Sequence, residues 1–157
     1  MVIRRIKESD YKAVADMIAR SVSSPSYAKF YPQSSIEKVI HALDENGVKK
    51  RASWTHFYII EEESEIVACG AIGPYWDSLT ESSLFSIFVD DKCQGKGYGK
   101  KIIETLEEDE FFVRADRIEI PAAISAIPFY RKMGYEHKNG VLTYSDEHVC
   151  LEKFNKK

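Results

Sequence analysis

The sequence has few cysteines, and they follow no recognisable pattern. Cys69, Cys93 and Cys150 stand far apart, with no C-x-x-C pair, in a chain of 157 residues. An odd number at this spacing indicates free thiols, and argues against a disulfide framework or a zinc site. A chain of this length can bury enough surface to hold a core without such cross-links. We therefore expect one compact domain over residues 1–157, with no metal.

An excess of one charge and a long apolar run are also missing. The 22 basic and 25 acidic residues give a formal charge of -3, so no overall basic field draws the chain to nucleic acid or anionic lipid. No stretch approaches the roughly 20 apolar residues of a membrane span, and the N-terminus lacks a signal-peptide core. We expect a cytoplasmic protein without nucleic-acid or membrane partners. The acidic run at 107–110 is expected to be a solvated face.

Hydrophobic periodicity indicates a chain in which strands and helices are interspersed. The predicted elements are a strand over 2–6, a helix over 11–22, a loop over 23–35, a helix over 36–43 ended by Asn46-Gly47, a hairpin of 56–60 with 66–72, a buried strand over 84–89, a helix over 102–106, a strand over 117–120, a short helix over 127–133 closed by Gly134, and a hairpin of 141–144 with 148–154. This order predicts an α/β or α+β domain with a mixed sheet.

A glycine-rich segment, QGKGYGK over 94–100, lies between the buried strand and a helix start. Glycines allow a tight turn that exposes consecutive N–H groups, and a helix N-terminus adds partial positive charge. Such a loop suits a phosphate or pyrophosphate, and Lys96, Lys100 and Lys101 add mobile positive charge. The alternative is a strand-to-helix turn without a ligand.

The spacing of these glycines discriminates between phosphate-binding motifs. A P-loop requires G-x-x-x-x-G-K-[ST], but only three residues separate Gly95 from Gly99, and Lys101 stands where Ser or Thr should be. A dinucleotide fingerprint, G-x-G-x-x-G, is one residue too long for this segment, although Glu119 lies near the place of a ribose-binding acid. The dinucleotide interpretation stays open as an alternative.

Two motifs together resemble those of the GNAT superfamily of N-acetyltransferases. The segment 94–99, QGKGYG, is similar to its Q/R-x-x-G-x-G/A acyl-CoA signature, and 126–135, AIPFYRKMGY, is similar to its A-x-x-F-Y-x-K-x-G-[FY] motif. The resemblance implies a mixed, mostly antiparallel sheet flanked by helices, with acetyl-CoA as acyl donor. The positions that it assigns to this cosubstrate are Ile87, Phe88, Val89, Gln94, Gly95, Lys96, Gly97, Tyr98, Gly99, Lys100 and Phe129.

The resemblance also implies direct attack of an amine on the thioester in a ternary complex. Tyr130 matches the tyrosine that often protonates the leaving thiolate, and a strand N–H near Ile87 could stabilise the oxyanion. A phenol near pKa 10 is a weaker acid than a thiol near 8.5, so this transfer costs about 2 kcal/mol in water.

The general base is harder to assign from the sequence. Ser83 stands where some members of the family have a glutamate, and Ala123 where many have an asparagine. Glu81 is the nearest carboxylate and is our candidate for the base. The other candidates are Asp77, Glu119 and His56. The missing glutamate also keeps open a non-catalytic acyl-CoA-binding or sensing module.

The acceptor is expected to lie against the segments 23–46 and 73–81, which hold six notable residues. These are Tyr27, Phe30, Tyr31, Tyr75, Trp76 and Asp77. Aromatic rings with an acid suit a small cationic amine, such as a polyamine, an amino sugar or an amino-acid derivative. Dimers are common in the resembled family, so a homodimer is compatible with the sequence.

Overall fold

A computed structural model describes residues 1–140, 148–155 and the backbone of 144–145. In this part of the chain, the strands are β1 (Val2–Arg5), β2 (His56–Glu62), β3 (Glu65–Pro74), β4 (Glu81–Val89), β5 (Arg117–Ala122), β6 (Glu136–His137), β7 (Tyr144–Ser145) and β8 (His148–Phe154). The helices are α1 (Tyr11–Ser23), α2 (Pro25–Ala28), α3 (Gln33–Ala42), α4 (Glu45–Trp54), α5 (Tyr98–Glu107), α6 (Glu110–Val113) and α7 (Ile127–Lys132).

The strands form one mixed sheet in the order β1-β2-β3-β4-β5-β8-β6, with β7 also paired to β8. Every described pair is antiparallel except β4 with β5, which is parallel. The predicted mixed, mostly antiparallel sheet is confirmed. The parallel pair lies mid-sheet because the chain crosses over through α5 and α6 between these strands, as parallel pairing requires.

Alternation along the strands divides the core between the two faces of the sheet. Ile59 packs with α1, α3 and α4, whereas its neighbour Ile60 packs with α5 and α7. Helix α1 presents Val14 and Ile18, both fully buried and one helical turn apart, to the first face. We call the two faces the α1–α4 face and the α5–α7 face.

The sequence prediction was wrong about Asn46-Gly47, which does not end a helix. These residues lie inside α4, where the Asp44 side chain accepts a hydrogen bond from Gly47 N at 2.8 Å and caps the helix. A Cβ on Gly47 would overlap the carbonyl oxygen of Ala42. Glycine is therefore required at this position because α3 and α4 approach each other closely. In the sequence, an Asn-Gly pair required for this reason looks the same as one that ends a helix.

Other differences concern short elements that periodicity does not detect. The predicted loop over 23–35 contains α2, and α6 and β6 were not predicted. The acidic run at 107–110 is only partly solvated, because Asp109 is buried and caps α6 by accepting from Phe111 N at 2.8 Å. Gly134, with φ 99°, follows α7 as expected. Residues 141–143 of the predicted last hairpin lie outside the described residues.

Candidate active site

A slot opens in the middle of the sheet where two neighbouring strands separate. β4 and β5 pair only from Glu81 with Arg117 to Ser83 with Glu119. β4 continues to Val89 along β3, but its pairing with β5 does not continue in the described residues. Residues 85–89 are accordingly only half-buried. The backbone groups on this edge of β4 are available to an extended ligand between the strands.

A β-bulge interrupts β4 beside the slot. Ala71 of β3 pairs with Phe85 and Cys69 with Phe88, so β4 has one residue more than β3 between these pairs. Ser86 takes up the extra length in the left-handed region, with φ 53°. Its carbonyl accepts a hydrogen bond from the fully buried Cys69 thiol at 3.2 Å. A bulge disrupts the regular pairing of the strand and bends it, here at Ser86 and Ile87 beside the slot.

The glycine loop lies at the wide end of the slot. Gly95 and Gly97 have φ of 78° and 83°, and a Cβ at either position would meet nothing within 4 Å. These glycines are therefore required by backbone conformation and not by packing. Gly97 precedes the first turn of the ten-residue helix α5 and provides no side-chain cap. A glycine loop before a helix N-terminus is a geometry that can bind a pyrophosphate such as that of coenzyme A, and we call this loop the glycine cradle.

Contacts that the sequence did not indicate hold this loop in place. Asp90, at the end of β4, is buried and pairs with Arg20 of α1 at 2.9 Å. The side chain of Gln94 donates to the carbonyl of Val89 at 3.0 Å, and the Tyr98 hydroxyl donates to Glu62 at 3.1 Å. The side chains of Gln94 and Tyr98 thus fix the loop. The backbone N–H of Gln94, which the sequence prediction assigned to the ligand, donates instead to the carbonyl of Asp91 at 3.4 Å. Lys96 and Lys100 are nearby; Lys96 is exposed.

Two aromatic residues of α7 lie on the α5–α7 face. A Cβ on Gly99 would come within 3.3 Å of the Phe129 ring, so α5 and α7 approach each other closely here. Tyr130 is 5% exposed, with its ring centroid 5.3 Å from that of Phe129. Burial, reinforced by the nearby Cys69, raises the pKa of Tyr130 above its ordinary value. The phenol therefore keeps its proton at neutral pH.

A buried ion cluster lies at the narrow end of the slot, on the α1–α4 face. Arg117 contacts Glu119 at 2.5 Å, Glu152 at 2.7 Å and Glu81 at 3.3 Å. Lys138 also pairs with Glu119, at 2.9 Å. Burial opposes ionisation of Glu152, but hydrogen bonds from Asn139 N and Arg117 hold its pKa below the usual value.

The four base candidates occupy three different places. Glu119 belongs to the last β4–β5 pair before the slot, and Glu81 lies two residues further away. Asp77 lies in the β3–β4 turn, with φ 62°. His56 packs on Phe111, with ring centroids 4.3 Å apart, and its Nδ1 lies 2.8 Å from the buried carboxylate of Asp109. Only the two glutamates are thus brought to the slot.

Comparison with known proteins identifies the family. A model of the GNAT acetyltransferase domain matches residues 53–137, which is more than half of the chain. The chain belongs to the GNAT family of acetyltransferases, and it is an acyltransferase that uses acetyl-CoA as donor. This assignment replaces the dinucleotide-binding alternative.

Solved structures share this fold over nearly the whole chain. The PaiA N-acetyltransferase of Thermoplasma acidophilum, in complex with coenzyme A, has a TM-score of 0.83 at 14% identity, with 98% of each chain covered. A GCN5-related N-acetyltransferase of Rhodopseudomonas palustris has a TM-score of 0.79 at 19% identity over 98% of this chain and 95% of that chain. N-acetylglutamate synthase of Neisseria gonorrhoeae, complexed with coenzyme A and N-acetyl-glutamate, has a TM-score of 0.70 at 13% identity. The match covers 99% of this chain and 35% of that chain. No described helix is long and apolar enough to span a membrane.

Proposed function

We propose that the protein transfers the acetyl group of acetyl-CoA to a primary amine of a small molecule by direct attack in a ternary complex. The observation that carries this proposal is the slot between β4 and β5. It has the glycine cradle at one end, carboxylates at the other and the bulge between them. A single open channel can thus admit both reactants, and no covalent acyl-enzyme is required.

The chain's own residues would hold the acyl donor along β4 and the glycine loop. Acetyl-CoA supplies a thioester and leaves as the free thiol. The N–H groups from Gly95 to Gly99 would bind its pyrophosphate, and the open edge of Ile87 to Val89 would pair with its pantetheine arm. A backbone N–H near Ile87, at the bulge, would donate a hydrogen bond to the carbonyl oxygen and stabilise its developing negative charge.

Proton transfers complete the proposed reaction. The acceptor ammonium first loses a proton, and Glu119 or Glu81 would receive it, directly or through water. The amine nitrogen then bonds to the acetyl carbon as the carbon–sulfur bond breaks. Tyr130 would give its proton to the leaving sulfur and regain one from the nitrogen. One proton is released overall, so that charge and atoms balance.

Thermal unfolding with different ligands tests the donor site. Acetyl-CoA at 100 times its dissociation constant should stabilise the fold by about 2.7 kcal/mol, whereas NAD and ATP should not. Equal shifts with all three ligands would contradict the site.

Replacement of Tyr130 tests the proposed acid. Tyr130→Phe should leave acetyl-CoA affinity nearly unchanged and lower turnover by about 10²-fold or more, because only the proton donor is removed. Tyr135→Phe is the matched control, since Tyr135 is another buried tyrosine, whose hydroxyl bonds Glu107 at 2.9 Å. Equal turnover of Tyr130→Phe and the control protein across pH would exclude Tyr130 as the acid.

A further inference from the structure

A second cavity lies beyond the ion cluster, over the same face of the sheet. It has a volume of about 440 Å³ and lies between α2, α3 and the start of β8. Its lining residues are Tyr27, Tyr31, Ser35, Lys38, Val39, Ala42 and His148. We call it the tyrosine pocket. Its volume is in the range of small-molecule sites, and none of the mechanism above uses it.

The walls of the tyrosine pocket are fixed against the end of β5. Tyr27 and Tyr31 stack with ring centroids 4.9 Å apart. The Tyr31 hydroxyl accepts a hydrogen bond from Ile124 N, two residues after β5, at 2.8 Å. This contact places the α2–α3 segment over the strand that forms one side of the slot. The pocket is therefore next to the proposed reaction site.

One face of β8 runs from the tyrosine pocket to the ion cluster, and its half-buried residues His148 and Cys150 line what we call the trough. On β8, Val149 and Leu151 are buried on the α5–α7 face. By alternation, His148, Cys150 and Glu152 share the α1–α4 face, as Glu119 does on β5, where it pairs with Glu152. Glu152 and His148 are four positions apart along the strand, which is about 13 Å. An acceptor of that length could reach from one end to the other.

The two ends of this trough differ in charge. At the slot end lie Glu81, Glu119 and Glu152 against Arg117 and Lys138, so carboxylates are in excess. In the tyrosine pocket, the described lining residues include the ammonium of Lys38 and the imidazole of His148, and none of these residues is a carboxylate. Carboxylates attract an ammonium, while an ammonium, an imidazole and a hydroxyl attract an anion.

We propose that the acceptor amine carries an anionic group, a carboxylate or a phosphate, at the end remote from its amine. The amine would lie by Glu119 and the anion in the tyrosine pocket by Lys38. This inference rests on the proposed amine acetylation and narrows its substrate to amino acids, short peptides and amino phosphates. Polyamines, which bear a second cation at that end, are disfavoured.

Three probes of similar length test this polarity: 8-aminooctanoate, octane-1,8-diamine and 8-aminooctyl phosphate. With acetyl-CoA, the anionic probes should exceed the diamine in kcat/KM by about tenfold or more, since a charge-assisted hydrogen bond is gained. Their mutual ranking distinguishes carboxylate from phosphate. A diamine that matches or exceeds both anionic probes would overturn the proposal.

Charge reversal at Lys38 provides a second test of the proposed anion site. Lys38→Glu should abolish or invert the preference for the anionic probes. Lys49→Glu, on the exposed side of α4, changes the net charge equally and should preserve it. Equal effects of the two variants would refute the assignment of the tyrosine pocket.

A binding readout separates this inference from the proposed function. In the presence of coenzyme A, the anionic probes should raise the unfolding temperature more than the diamine, and Lys38→Glu should remove that difference. Equal shifts refute the inference even if no probe is acetylated. A protein that acetylates the diamine fastest refutes the inference alone, whereas one that neither binds acetyl-CoA nor acetylates any amine refutes the proposed function.

Discussion

Arg117 is the residue whose loss should affect stability most clearly. Its guanidinium is at the centre of the ion cluster, with a side chain only 10% exposed, and contacts Glu119 and Glu152 on adjacent strands. Arg117→Met keeps much of the side-chain length but removes the charge and every donor. Two neighbouring buried carboxylates would then have lost their shared cation.

The expected cost at neutral pH is about 3–5 kcal/mol, the usual result of removing one partner from a buried ion pair. In a chain of this size each kcal/mol lowers the unfolding temperature by roughly 2–4 °C, so we expect a decrease of about 6–20 °C. Urea unfolding followed by circular dichroism at pH 7 measures the free energy directly.

The free energy of unfolding that Arg117→Met loses should also depend on pH, and the carboxylates determine the direction of this dependence. In the native protein the pKa of Glu152 is lowered, so its stabilisation is present above its unfolded pKa and is lost as pH falls through the folded one. Without Arg117, the neighbouring Glu119 carboxylate repels that of Glu152, so the pKa of Glu152 is expected to rise in the folded variant. Protonation then stabilises the fold as pH falls, and the variant's deficit should shrink between pH 7 and pH 5.

Arg131→Met provides the matched control. Arg131 pairs with Glu136 at 3.2 Å, but both side chains are more than half exposed, so less than about 1 kcal/mol should be lost. An Arg117→Met deficit as small as that of the control, or one that stays constant from pH 7 to pH 5, would refute this account of the cluster.

Three further changes probe the loop, the core and the base. Gly97→Val should weaken acetyl-CoA binding at least tenfold in calorimetric titration, because valine disfavours φ of 83° and obstructs the cradle; unchanged affinity would exclude the cradle. Gly70→Ala should destabilise the fold by about 1–3 kcal/mol in urea, since the new Cβ would lie 2.5 Å from Ile102; a neutral effect would show that α5 can shift. Glu119→Gln should lower kcat more than Glu81→Gln and flatten the acidic limb of the pH–rate profile; the reverse order would assign the base to Glu81.

Local patterns in the sequence were enough to predict the fold class and the family. The glycines of 94–99 lie between β4 and α5, and the positive φ angles of Gly95 and Gly97 depend only on backbone conformation within a few residues. Helix α1 and the β2–β3 hairpin were equally predictable, because periodicity and turn residues are local properties. The family model confirmed the membership that these motifs implied.

Which charged residues meet at the proposed acceptor site was decided only by tertiary structure. Glu119 and Glu152 are 33 positions apart in sequence and become neighbours through strand pairing, and Arg117 joins them only because alternation puts all three on one face. Likewise, His56 had the chemistry of a base, yet the fold pairs it with Asp109 on the other side of the sheet. A sequence specifies which side chains can react, whereas long-range pairing determines which of them meet, since contacts between distant residues leave no local periodic signal.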